Sequence, residues 1–215
     1  MYRHDTYRPP SAFGAFPPVI KNLLIINGLV FLAQLMQTTY ENLMIWFALW
    51  PLGGGFWPWQ LVSYSFLHGG LGHLFFNMFA LWMFGLEIER SWGSRRFAIY
   101  YAACVVGAGL VQLSVTYWTG AVYSTIGASG GVFGILLAFG MMFPNRIIML
   151  LFPPIPMKAK YFVIGYGVLE LFFAASDLQP GVAHMAHLGG MAFGYFLIMY
   201  WRGRLPIQPR HRSHY

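Results

Sequence analysis

Residues 127–131 read Gly-Ala-Ser-Gly-Gly and open an apolar run that continues to Phe143. Later in the chain, residues 186–190 read Ala-His-Leu-Gly-Gly and open a second apolar run. A serine and a histidine, here Ser129 and His187, are the smallest set of groups that gives a nucleophile with its general base. Polar side chains are costly inside a lipid bilayer and usually have a function there. The two stretches therefore predict membrane helices that carry hydrolytic chemistry.

The composition of the chain indicates the surroundings of these helices. Of 215 residues, 58% are hydrophobic and 9% are charged, whereas charged residues make up roughly 25% of soluble domains. This balance predicts an all-α, polytopic membrane protein. No polar linker divides the apolar part, so we expect one domain at 19–201, between a short tail at 1–18 and a basic tail at 202–215. Cys104 is the single cysteine, which excludes an intramolecular disulfide.

The distribution of charge predicts how the chain crosses the membrane. Six apolar segments approach the length of a spanning helix, and they cover residues 19–38, 66–86, 96–117, 129–143, 160–176 and 184–201. If the N-terminus is cytoplasmic, all 13 Lys and Arg fall on the cytoplasmic side, as the positive-inside rule requires. Topology then explains the basic charge, and we expect no nucleic-acid partner. We expect both termini in the cytoplasm and, for a short chain of this kind, a bacterial inner membrane.

The second, fourth and sixth segments run in the same direction, so polar residues near their starts lie at one depth. These residues are His73, Asn77, Ser129 and His187, with His184 nearer the outer surface. The fourth segment spans only about 22 Å at ~1.5 Å per residue, against about 30 Å of hydrocarbon. The loop at 119–128 must therefore dip into the membrane, where irregular backbone survives only inside protein or beside water. Hydrolysis needs that water.

Small residues on the fourth and sixth segments predict how the serine and the histidine meet. Each segment carries two glycines four residues apart, and these are Gly130, Gly134, Gly190 and Gly194. This spacing lets two helix backbones approach closely. A tight crossing would bring Ser129 and His187 within hydrogen-bond reach. Phe133, one turn after Ser129, would then pack against the imidazole and fix its plane.

Together these stretches resemble the signature of the rhomboid intramembrane serine proteases. The resemblance rests on residues 127–130, on residues 186–190 with Gly194, and on His73-Leu74-Phe75-Phe76-Asn77. It extends from about Pro17 to Trp201 and implies a bundle of six transmembrane helices. One departure is Phe133, where many relatives carry tyrosine. Phenylalanine keeps the ring stacking and loses only a hydroxyl, so we expect activity to be retained.

The same resemblance implies a role for each residue of the site. Ser129 would be the nucleophile and His187 the general base, in a dyad without a carboxylate and without a cofactor. The oxyanion hole and its support would comprise His73, Asn77, Gly127, Ala128 and the backbone N–H of Ser129. The expected partners are the lipid bilayer and single-span membrane proteins, which would be cut after a small residue where their helices unwind near the outer interface.

Several polar residues allow a different interpretation. His73, His184 and His187 could bind a metal, but no Asp or Glu lies at the same depth on those segments, so we expect none. Asn77 could form an interhelical hydrogen bond instead of donating to an oxyanion. Glu170 is a buried carboxylate on the fifth segment, for which a structural hydrogen bond is favoured over acid–base work.

Other classes of protein also remain as alternatives. The chain order Ser129, Asp177, His187 fits the G-x-S-x-G elbow of soluble hydrolases, but that elbow requires a preceding strand. A transporter would show repeats or charged residues along a midplane path, and the sequence shows neither. The remaining alternative is an inactive rhomboid-like protein that binds membrane clients. Inactive relatives lack the serine or the histidine, whereas both are present here.

Overall fold

The computed structural model describes residues 16–150, 154–176 and 181–207. Most of the predicted N-terminal tail, the end of the basic tail and Asp177 lie outside the described residues, so their expected positions stay predictions. The described part of the predicted domain is a helical bundle.

The helices follow the apolar segments of the sequence closely. The described residues form the helices α1 (Pro18–Gln34), α2 (Gln37–Phe47), α3 (Gln60–Ser63), α4 (Leu71–Trp92), α5 (Ser94–Thr119), α6 (Ser129–Met142), α7 (Ala159–Ser176) and α8 (His184–Trp201). A 3-10 turn at Tyr64–Phe66 follows α3. Two short antiparallel strands, β1 (Ile147–Met149) and β2 (Pro156–Lys158), lie between α6 and α7. The six predicted segments become α1 and α4 to α8, and the strand pair is the departure from an all-α chain.

Length and composition suit this bundle to a lipid bilayer. Among the described residues, α4, α5 and α7 are long and apolar enough to cross a membrane, while α1 and α6 are apolar but shorter. Helix α6 has 14 residues and begins at Ser129, as the sequence predicted. In the loop before it, Thr125 exchanges two backbone hydrogen bonds with Leu49, and the Gly127 N–H donates to the Tyr64 carbonyl at 2.9 Å. This irregular backbone is therefore held inside protein, as expected at membrane depth.

Charged groups join several helix ends at one end of the bundle. Glu89, near the end of α4, accepts hydrogen bonds of 2.9 and 2.8 Å from two backbone N–H groups at the start of α1. Such N–H groups have no acceptor within their own helix, so a carboxylate there is stabilising. Arg146, after α6, forms an ion pair with Glu87 of α4 at 3.1 Å. The end of α8 meets the end of α4, where the rings of Trp201 and Trp92 lie 5.6 Å apart.

Helix α8 packs against both α5 and α6, and glycines make the closest contacts. A Cβ atom at Gly190 would overlap the carbonyl of Gly130, so the backbones of α8 and α6 touch. A Cβ atom at Gly134 would lie 3.2 Å from the Gly190 carbonyl oxygen and would also overlap Cys104 of α5. The structure thus brings α6 and α8 closest together at these three glycines.

Gly194 has a different neighbour from the predicted one. A Cβ atom at this position would overlap the hydroxyl of Tyr100 and approach Sγ of Cys104 to 3.1 Å, and both residues belong to α5. Gly194 is therefore closest to α5, and its predicted part in the contact with α6 stays a prediction. Four residues advance an α-helix by about 40° beyond one full turn, which carries Gly194 from the face toward α6 to the face toward α5.

Candidate active site

The serine and the histidine meet where α6 begins and α8 completes its first turn. Ser129 Oγ lies 2.7 Å from Nε2 of His187, which is a hydrogen-bond distance. The close approach of Gly130 to Gly190 explains this contact, because each glycine lies within three residues of one partner. Only 9% of the His187 surface is exposed, so the pair lies inside the protein. A hydroxyl and an imidazole in this geometry can act as a nucleophile and its general base.

The ring of Phe133 lies flat against the imidazole, as the sequence predicted. The centroids of the Phe133 and His187 rings are 4.4 Å apart, and their planes differ by 7°. Phe133 also contacts Tyr166 of α7, with ring centroids 6.2 Å apart. One turn of α6 thus supplies both the hydroxyl and the surface that fixes the plane of the imidazole.

A carboxylate completes the hydrogen bonding of His187. Glu170 Oε2 on α7 lies 2.9 Å from Nδ1 of His187 and 2.7 Å from Nδ1 of His184. The resemblance implied a dyad without a carboxylate. In the structure, however, His187 is hydrogen-bonded to Ser129 through Nε2 and to Glu170 through Nδ1. The structural hydrogen bond expected of Glu170 is present, and its partners are histidines of the candidate site.

One feature of the sequence pointed to this contact. Glu170 is the single acidic residue of the apolar segment 160–176. A lone carboxylate in an apolar helix requires a polar partner. The two histidines at the start of the next segment, His184 and His187, were candidates for that partner. Which way Glu170 faces around α7 could not be read from the sequence.

The same three groups lie close enough together to bind a metal ion. Ligand atoms of Glu170, His184 and His187 all fall within 4.8 Å of one another. The second, fourth and sixth segments carry no such carboxylate, as noted from the sequence, but Glu170 of the fifth segment supplies one beside His184 and His187. Hydrogen bonds to the shared Oε2 satisfy both Nδ1 atoms without an ion. The expectation of no metal stays a prediction.

His73 of α4 presents a hydrogen-bond donor beside the serine. Its Nδ1 accepts a hydrogen bond from the Gly69 N–H at 3.3 Å, so the proton of the neutral ring is on Nε2. A Cβ atom at Gly127 would lie 2.8 Å from that Nε2 and 3.7 Å from Ser129 Oγ. Gly127 adopts a φ of 123°, a backbone conformation that residues other than glycine rarely adopt. His73 can approach the serine closely because residue 127 has no side chain.

Backbone and amide groups supply further donors at the same place. Ser129 is the first residue of α6, so its N–H has no acceptor within the helix, and Ala128 precedes it as the N-cap. Asn77 is 5% exposed, and its amide donates to the His73 carbonyl at 2.9 Å. That amide has a second N–H, which this bond leaves free for another acceptor. Both interpretations of Asn77 are therefore compatible with the geometry.

An apolar cavity of about 930 Å³ opens onto Ser129 and His187. It lies between α4 and α7, and its lining includes Phe76, Phe79 and Met83 from α4 with Phe162 and Tyr166 from α7. Its volume is typical of cavities that enclose a ligand. The apolar walls suit a hydrophobic peptide segment.

Comparison with known proteins identifies the family of this chain. Residues 56–204 match the family model described as the Rhomboid domain. The chain therefore belongs to the rhomboid family, and its bundle is a rhomboid membrane domain.

Several relatives are similar over most of this chain. RHOMBOID-like protein 4 of Arabidopsis thaliana is 32% identical over 148 residues, or 65% of this chain and 33% of the relative. Putative rhomboid protease YdcA of Bacillus subtilis (strain 168) is 31% identical over 149 residues, or 68% of each chain. Presenilin-associated rhomboid-like protein, mitochondrial, of Rattus norvegicus is 26% identical over 199 residues, or 87% of this chain and 51% of the relative. The chain thus spans from a third to about two thirds of the length of these relatives.

Proposed function

We propose that this chain is an intramembrane serine endopeptidase in which Ser129 is the nucleophile and His187 the general base. The observation that carries the proposal is the 2.7 Å contact between Ser129 Oγ and His187 Nε2 beside an apolar cavity. Membership of the rhomboid family supports the same class of reaction, and one relative is named as a putative rhomboid protease.

The reaction begins when Ser129 Oγ attacks the carbonyl carbon of a peptide bond and His187 Nε2 takes the hydroxyl proton. The carbonyl oxygen becomes an oxyanion, for which the Ser129 N–H and the His73 Nε2–H are donors. The C–N bond then breaks, and His187 gives its proton to the leaving amine nitrogen. Water attacks the resulting ester while His187 accepts a proton again, which releases the new carboxyl group and restores Ser129.

We propose single-span membrane proteins as substrates and the lipid bilayer as the surroundings. The cavity between α4 and α7 is lined by apolar side chains, which suit the residues of a membrane segment. An α-helix hides its carbonyl groups in internal hydrogen bonds, so the segment must unwind before Ser129 can attack. Cleavage after a small residue follows from the resemblance to the rhomboid proteases.

The proposed location is a bacterial inner membrane, with both termini cytoplasmic and the candidate site toward the outer face. Arg90, Arg95 and Arg96 flank the junction of α4 and α5, at the end of α4 opposite His73. The positive-inside rule places such a basic end in the cytoplasm. Ser129 and His187, at the starts of α6 and α8, then face outward.

An inactive rhomboid-like protein that binds membrane clients is the second candidate. The apolar cavity suits a bound membrane segment as well as a cleaved one. The hydrogen bond between Ser129 and His187 favours the protease, because client binding requires no nucleophile paired with a base.

Labelling with a fluorophosphonate probe, which reacts with activated serines, tests the proposal. We expect the purified wild type to be labelled and the Ser129→Ala and His187→Ala variants to stay unlabelled. Ser114→Ala is the matched control, because Ser114 is on α5 and donates only to its own helix at Leu110. Labelling of Ser129→Ala would contradict the choice of nucleophile. A folded wild type without label would favour the client-binding protein.

A further inference from the structure

Among the described residues, Glu170 hydrogen-bonds only to histidines of the candidate site, unlike Glu89, the other buried carboxylate described. Glu89 accepts hydrogen bonds from two backbone N–H groups of α1 and from Ser94 Oγ, and so joins helix ends. Glu170 instead accepts from the imidazoles of His184 and His187. We propose that Glu170 is a positioning residue for the reaction and that it acts through His187. This inference rests on the function proposed above.

The first effect of Glu170 is to select the tautomer of His187. A general base must present a bare Nε2 to take the proton from Ser129 Oγ. An ionised carboxylate only accepts hydrogen bonds, so the 2.9 Å contact with Glu170 Oε2 requires the His187 proton on Nδ1. In the neutral ring Nε2 is then unprotonated and faces Ser129 Oγ at 2.7 Å.

The second effect of Glu170 is on the charge that forms during the reaction. His187 becomes an imidazolium when it takes the serine proton. The carboxylate beside Nδ1 stabilises that charge, and the interaction is strong because both residues are buried, with 8% and 9% of their surfaces exposed. A buried carboxylate on the second nitrogen of a catalytic histidine has these two roles in soluble serine proteases.

His184 fixes the position of the Glu170 carboxylate. Its Nδ1 donates to the same oxygen at 2.7 Å, and its ring packs against Phe173 of α7 with centroids 5.5 Å apart. Nε2 of His184 is buried and has no hydrogen-bond partner among the described residues. The hydrogen bond and the ring contact together hold the Glu170 carboxylate beside Nδ1 of His187.

Glu170→Gln tests this role, since it keeps the shape of the side chain, removes the charge and offers an N–H to Nδ1. We expect kcat on a model transmembrane substrate to fall by about 100-fold or more, because the imidazole loses its tautomer and its counter-charge. KM should stay within about threefold of wild type. The rate of fluorophosphonate labelling should fall by a similar factor to kcat, because labelling needs an activated Ser129 but no passage of a membrane segment.

Two variants serve as controls. Leu171→Ala changes the next residue of α7, which is 58% exposed, and Glu89→Gln removes a buried carboxylate away from Ser129. Both should be labelled at the wild-type rate. If Glu170→Gln is slow on the substrate but is labelled at the wild-type rate, Glu170 only shapes the passage for substrate, and the positioning role is overturned. Wild-type values for both rates would also overturn it.

Glu170→Asp keeps the proposal testable if the glutamine variant does not fold. The aspartate keeps the charge but is shorter by about 1.5 Å, roughly one carbon–carbon bond, so its contact with His187 is lost. We expect a labelling rate at least about 10-fold below wild type, with a melting temperature close to it. A wild-type labelling rate would overturn the role of the hydrogen bond. A wild type that is not labelled at Ser129 would instead overturn the proposed function.

Discussion

The two sides of the candidate site differ in how tightly they are packed. Helix α6, which carries Ser129, has 10 of its 14 residues buried, and it lies against α5 and α8. Helix α7, which carries Glu170, has 4 of its 18 residues buried. The nucleophile is thus on a tightly packed helix that lies against the helix of the base, whereas the carboxylate is on a helix whose other faces are largely exposed.

This difference means that the packed side sets the distance between Ser129 and His187. Glycines in α6 and α8 leave no room there for a side chain, so the geometry has little freedom. On α7 there is space for a side chain at Gly165, where an added Cβ atom would contact nothing within 4 Å. The same substitution should therefore lower turnover far more on the packed side than on α7.

Gly190→Leu and Gly165→Leu give the largest contrast. The leucine at 190 would force α8 away from the Gly130 carbonyl, and a shift of about 1 Å between base and nucleophile can cost on the order of 100-fold in rate. We expect well over 100-fold loss of turnover for Gly190→Leu and less than about threefold for Gly165→Leu. Turnover and thermal unfolding in detergent measure both. Equal turnover in the two variants would show that close packing does not align Ser129 and His187.

The donors on α4 come next in expected effect. His73→Ala removes the Nε2–H beside Gly127, and Asn77→Ala removes the amide, so each should lower kcat by about 100-fold if it serves the oxyanion. KM should change little, because the oxyanion exists only after the attack. Steady-state kinetics separate the two constants. An effect confined to KM would show that these residues pack against the substrate and do not stabilise the oxyanion.

Phe133 should have a smaller effect, since it only orients the imidazole. Loss of its stacking in Phe133→Leu should lower turnover by about 3- to 10-fold, as expected from the 0.5–1.5 kcal/mol of an aromatic pair. Phe133→Tyr keeps the ring and should stay within about twofold of wild type. Turnover of the two variants at one substrate concentration is sufficient to compare them. A tyrosine variant as slow as the leucine variant would contradict the stacking role.

Metal chelators should have no effect on turnover. The Nδ1 atoms of His184 and His187 already have the Glu170 carboxylate as their hydrogen-bond acceptor. Prolonged treatment with 1,10-phenanthroline followed by dialysis, and then addition of zinc, tests this expectation. Loss of activity that zinc restores would assign Glu170, His184 and His187 to a metal centre instead.

The sequence predicted the packed side better than the open one. The short apolar run at 129–143 and its glycines predicted where α6 begins and which helix crosses it, since small residues at helical spacing have few other uses in a membrane. The contact between Glu170 and His187 depends on the rotation of α7 about its own axis, which packing against α8 decides. The pair of strands β1 and β2 was missed because three-residue strands leave no periodic pattern in the sequence.

The most direct measurement is cleavage of a model transmembrane substrate by the purified protein in liposomes, with the products identified by mass spectrometry. We predict that the wild type cuts the substrate within its membrane segment. Ser129→Ala and His187→Ala should insert and unfold thermally like the wild type but give no product above background, because one lacks the nucleophile and the other the base. Cleavage by Ser129→Ala at the wild-type rate would contradict a serine protease with this site.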